Sequence, residues 1–112
     1  MLKIDTLENE LAHHIIYYSN GNKQYESWWL KNKPLCAHKN DAPAHIEYDK
    51  NGKIEGEFYY QYGKLHRENG SAYITYKKDG SVKVARYYLN GNKVRKSVVD
   101  KLILIKKLSG VE

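Results

Sequence analysis

His66 and Arg67 stand side by side in "FYYQYGKLHREN", the stretch from Phe58 to Asn69. An imidazole beside a guanidinium has the makings of an acid/base group with an anion clamp. The pairing recurs, however: 28 residues earlier His38 is followed by Lys39. A catalytic pair has no reason to return at each turn of a repeated structure, so His66 reads as a packing or hydrogen-bonding residue of a connection. The other histidines are His13, His14 and His45. A metal would need two or three of the five on one face at liganding distance. One hairpin step separates His38 from His66 by about 10 Å. Cys36 lies two residues before His38, but a Cys/His dyad needs spatial alignment and a third orienting group. No P-loop, GxGxxG, GxSxG or HExxH occurs. The expectation is a chain with no catalytic residue, no cofactor and no metal, and not an enzyme.

Aromatic residues interleaved with basic ones point to binding instead. Tyr59, Tyr73 and Tyr87 alternate to one strand face, Tyr62 stands in a turn, and Lys83, Arg86, Lys93 and Arg95 lie near enough in sequence to join them. Such a set could stack bases and meet phosphates. Tyrosine is equally the anchor of protein interfaces and the ordinary residue of a half-buried sheet. Glu47, Glu55 and Glu57, placed by alternation on that same face, interrupt any phosphate track. These eight residues are therefore expected to meet a protein first, with nucleic acid as the alternative.

Charge supports an acidic partner. The 112 residues carry a formal net charge of +6. From Met1 to Tyr76 there are nine Lys/Arg against ten Asp/Glu, and from Lys77 to Glu112 ten against three. That asymmetry suits an acidic protein face or nucleic acid. The lone cysteine permits no internal disulfide and reads as a reducing compartment. "MLKIDTLENELAHH" is acidic where a secretory signal needs an apolar core, and no run approaches about 18 apolar residues. A soluble cytoplasmic protein without membrane contact is expected.

The elements that must position these side chains come from a repeat. "HKNDAPAHIEYDKNGKIEGEFYYQYG" lies over "HRENGSAYITYKKDGSVKVARYYLNG" at an offset of 28, and "HIIYYSNGNKQYESWWLKN" precedes them as a worn copy at an offset of 31. Fixed-period self-similarity implies stacked supersecondary units. Each unit reads as a β-hairpin, because "AHIEY" and "IEGEFYY" alternate around an Asn-Gly or Asp-Gly turn. "YGK" and "NGNK" join one hairpin to the next. The chain is thus a single domain, mainly β: an antiparallel meander of about six strands in hairpin units near 12–37, 38–65 and 66–94. Ile15, Ile46 and Ile74 with Tyr17, Tyr48 and Tyr76 form the expected core ladder, extended by Trp29, Tyr60 and Tyr88.

The ends differ. In "KSVVDKLILIKKLSG" Ser97 precedes Asp100 by three residues, a capping-box spacing, and apolar residues follow at helical intervals. This predicts an α-helix from Val98 to Leu108, with a closing strand through "LILI" as the alternative. "DTLENELAHH" suggests a helical turn or two. Unpaired edge strands open a route to homodimers by sheet extension.

The repeat resembles a MORN-repeat variant found in phage, giant-virus and bacterial proteins, some of them antitoxin-like. The resemblance runs through Tyr59, Tyr60, Gly63, Lys64, Leu65, His66, Arg67, Gly70, Ala72, Ile74, Tyr76 and Gly80, and Pro43-Ala44 restores a proline absent at Ser71. It implies a meander of hairpins serving as a binding scaffold. It implies also an inhibitor in phage–bacteria conflict, anti-CRISPR-like or antitoxin-like, that occludes its target.

Overall fold

The computed structural model describes residues 11–30 and 41–110. Cys36, His38 and the stretch before Leu11 lie outside the described residues. A seven-stranded antiparallel sheet dominates, its strands in spatial order Leu11–Tyr17, Lys23–Leu30, His45–Tyr48, Ile54–Phe58, Tyr73–Tyr76, Val82–Leu89 and Asn92–Val94. Three long hairpins supply most of it: β1 (Leu11–Tyr17) with β2 (Lys23–Leu30), β3 (His45–Tyr48) with β4 (Ile54–Phe58), and β7 (Tyr73–Tyr76) with β8 (Val82–Leu89). Three short strands come from the connections. β5 (Tyr60–Gln61) and β6 (Lys64–Leu65) form a separate ribbon, and β9 (Asn92–Val94) pairs with β8. Leu11–His14 belong to β1, so the helical expectation fails there.

The repeat explains the hairpins. Each long turn ends on a glycine with positive φ, Gly21 at 91°, Gly52 at 88° and Gly80 at 91°. In each, that glycine's N–H returns to a carbonyl three residues back: Gly21 to Tyr18, Gly52 to Asp49, Gly80 to Lys77. This is a type I turn closed by a left-handed residue, which only glycine occupies without steric cost. The connecting turns differ. Tyr62 and Gly63 have φ of 52° and 80°, Asn90 and Gly91 of 51° and 84°, the double-positive signature of a two-residue type I′ turn. Neighbouring long turns are tied together, since Asn20 and Asn22 side chains donate to the Lys50 carbonyl and Lys53 Nζ to that of Lys78.

Register assigns the faces. Ile15 pairs with Glu26, Glu26 with Ile46, Ile46 with Glu57, Glu57 with Ile74 and Ile74 with Ala85. Cross-strand partners share a face, so the isoleucines alternate with glutamates along one side, the isoleucine face. Phe58 pairs with His45 and Tyr73, which places the apolar set of β4 on the opposite side, the aromatic face. The expected ladder is corrected accordingly. Trp29 and Tyr60 belong to the aromatic face, Tyr17 is exposed, and Tyr59 is buried beside Ala72 and Ile74, with Leu65, Tyr76 and Tyr88 packed around them. Glu47 and Glu57 likewise lie on opposite faces.

The helix, α1, spans Lys96–Leu108 and begins two residues before the expected Val98. Arg95 is its N-cap and no side chain caps it, so Ser97 opens no capping box. Asp100 bonds Lys96 Nζ at 2.9 Å instead. Val99 is fully buried, and Lys106 Nζ reaches Glu68 Oε1 at 2.8 Å, tying the helix to the β6–β7 connection. Among the described residues no helix is long and apolar enough to cross a membrane.

Candidate binding surface

A shallow groove of about 630 Å³ lies on the aromatic face. His14 and Ile16 of β1 and Tyr25, Ser27 and Trp29 of β2 form one side, and His45, Glu47, Phe58, Tyr60 and Tyr73 the other. Alternation delivers them together: pairs His14/Ser27, Ser27/His45, His45/Phe58 and Phe58/Tyr73 are consecutive rungs across the sheet.

Their rings make a continuous row. Centroids are 5.2 Å apart from Tyr25 to His45, 5.7 Å from His45 to Phe58 and 5.1 Å from Phe58 to Tyr73, in tilted or edge-to-face contact. Arg86, opposite Tyr73 on β8, ends the row with its guanidinium 5.3 Å from the Tyr73 ring. Gly56 makes the row possible. A Cβ there would meet the Phe58 ring at 2.6 and 2.9 Å, so the ring occupies the space a side chain would fill. Apart from Ile16 and Phe58 every lining residue carries a side-chain polar atom, but Glu47 is the one carboxylate. Ser27 is buried and accepts the Trp29 indole N–H at 3.1 Å, and His45 Nε2 lies 3.2 Å from Glu47 Oε2.

The eight residues expected to meet a partner do not share this surface. Tyr73 lines the groove and Arg86 adjoins it. Tyr59 is 8% exposed and Arg67 lies 3.9 Å over its ring, so it is a core residue. Burial pushes its phenol up from the ordinary range. Tyr62 is exposed at the β5–β6 turn, Lys83 sits at the register slip between Val82 and Val84, and half-buried Tyr87 pairs with Val94. Lys93 stands opposite Tyr88, and Arg95 occupies the N-cap position of the helix without a side-chain capping bond. Sequence reasoning missed Tyr25, Trp29, His45, Phe58 and Tyr60 as one surface. Counting register across the Asn51-Gly52 turn, which sets Ile46 opposite Glu57, would have found it.

His66 and Arg67 are engaged in holding connections. His66 Nδ1 accepts the Asn90 N–H at 2.9 Å, and its Nε2 lies 3.3 Å from Glu68. Arg67 forks onto Asp41 at 2.8 and 3.1 Å and donates to the Ser71 carbonyl at 3.1 Å. Among the described residues no group of three or more His, Cys, Asp or Glu side chains is placed to hold a metal ion. The chain matches no protein-family model, no curated protein and no solved structure.

Proposed function

We propose that the chain is a non-enzymatic protein-binding module whose contact surface is the aromatic groove. The observation that supports this is the unbroken ring row from Tyr25 to Tyr73, in which Phe58 is buried and Tyr25, His45 and Tyr73 are half-buried, flanked by exposed Trp29 and half-buried Tyr60. Rigid aromatic side chains with few charges at the centre are what protein interfaces concentrate. The groove's volume suits a few side chains of an extended segment. Its lining has one carboxylate, Glu47, and no lysine, which disfavours a phosphate track. An inhibitor or antitoxin role by steric occlusion extends this reading and rests on the repeat resemblance.

The test places a photo-crosslinking residue at Tyr73 or at Lys83 and identifies what each captures in cells. A protein captured from Tyr73, and lost by more than about tenfold in Trp29→Ala, is the expected result. Capture only from Lys83, abolished by reversing Lys83, Lys93 and Arg95, moves the contact to the basic segment. Nucleic acid bound at low salt with a steep salt dependence replaces the reading with the alternative.

A further inference from the structure

The two edges of the sheet are unlike. β9 is three residues long, carries Lys93 and runs into α1 after Arg95 alone. These are the devices that blunt an edge strand. β1 is seven residues, "LAHHIIY", with no lysine, carboxylate or proline. Ile16 is 44% and Tyr17 55% exposed. Among the described residues β1 pairs with β2 alone.

Hydrogen-bond direction shows what that edge offers. Trp28 gives its N–H to the Ala44 carbonyl, towards β3. Backbone groups alternate in direction along a strand, so Tyr25, Ser27 and Trp29 are the residues of β2 that bond β1. Their partners are Ile16, His14 and Ala12. The N–H and C=O groups of Leu11, His13, Ile15 and Tyr17 consequently point outward.

We propose that a second copy of this chain pairs antiparallel along β1, with the two-fold axis at His14. That register is the one that uses the whole strand. Leu11 then faces the partner copy's Tyr17 and His13 its Ile15, so every outward-pointing backbone group of β1 finds a partner. His14 meets its own counterpart in a pair without backbone hydrogen bonds. The two-fold runs perpendicular to the sheet, so both aromatic faces lie on the same side. His14 and Ile16 line the groove, and the two grooves therefore adjoin at the axis, doubling the contact surface. This pairing stands whether or not the groove binds protein.

The test uses the full chain in a Cys36→Ser background. Partners in a pair of this kind lie with Cα atoms about 4.5 Å apart, within the span of a disulfide. His14→Cys should crosslink two copies on oxidation. Ala12→Cys, whose two copies would be about 14 Å apart along the strands, should not. Sedimentation should show mass rising towards a dimer between about 1 and 100 μM, and Ile15→Pro, which deletes an outward N–H at the cost of the Ile15 side chain on the isoleucine face, should remain a folded monomer. A monomer at every concentration with no His14→Cys crosslink overturns the proposal. So does equal crosslinking at both cysteines, or a monomer in which the His13 and Ile15 amides exchange slowly, because another part of the chain then covers the edge. If Ile15→Pro does not fold, the cysteine pair decides.

Discussion

The Tyr76 hydroxyl donates to Glu57 Oε1 at 2.5 Å, across a rung where Glu57 stands between Ile46 and Ile74. One unit earlier Tyr48 donates to Glu26 in the same manner, and Lys23 and His13 complete that carboxylate's shell at 3.0 and 2.8 Å. Burial acts first on Glu26 by disfavouring its charge, but these three partners together hold the carboxyl below its ordinary value. The third unit has Ala85 at this place and needs no such partner.

Tyr76→Phe should cost about 1 to 3 kcal/mol, because it strips a partly buried carboxylate of its donor. Combining it with Glu57→Ala should recover part of the loss in a double-mutant cycle read by denaturant unfolding.

The same bond predicts alkaline behaviour. Burial, then the Glu57 carboxylate, pushes the Tyr76 phenol up to about 12 from its ordinary 10.0. A raised pKa contributes stability that is present below the unfolded value and lost as pH climbs through the folded one. The stability gap between wild type and Tyr76→Phe should therefore hold below about pH 10 and shrink towards pH 12, as thermal melts would show.

Glu68 supplies the acid counterpart. The bond from Lys106, helped by His66, holds its carboxyl below the usual 4.5. That contribution is present above the unfolded value and lost as pH falls through the depressed one. Lys106→Met should loosen α1 at neutral pH, and its difference from wild type in helix melting should vanish in acid.

Gly56→Ala and Gly52→Ala should separate two reasons for glycine. At Gly56 the added methyl collides with the Phe58 ring, which must leave the row, so a loss of about 1 to 3 kcal/mol should accompany weakened target capture. At Gly52 nothing lies within 4 Å, and only the positive φ opposes the change. About 1 kcal/mol with capture intact is expected there.

Arg67→Lys should lower stability by about 1 to 2 kcal/mol, since an ammonium cannot reproduce both the fork onto Asp41 and the stacking on Tyr59. Asp41→Asn should lose less in the same melts.

Hairpins, turns and the helix were legible because the repeat displays them more than once, and each glycine of the long turns has the φ its turn requires. The faces were harder to read. β3 presents Ile46 and Tyr48 on one side while Phe58 of β4 and Tyr60 of β5 turn to the other, so alternation along the chain looked like one shared ladder. Tyr59 and Tyr60 consequently exchanged roles. A sheet apolar on one face only would have exposed the slip, since a one-residue shift there buries charge. Here the glutamates on the isoleucine face are satisfied by tyrosine hydroxyls, a pairing that hydropathy cannot reveal. The eight expected contact residues scattered for the same reason: nearness in sequence ignores which way each strand turns its side chains.

β4 lies directly beside β7 because the β5–β6 ribbon leaves the sheet and returns the chain to the adjacent lane. The same handover should let a further hairpin unit be inserted at that junction, provided its connection supplies the bonds that Leu65 and His66 make to the Asn90-Gly91 turn. Each added unit would widen the ring row by two strands, about 10 Å. The width of the sheet, and with it the length of surface it can present, thus scales with the number of hairpin units.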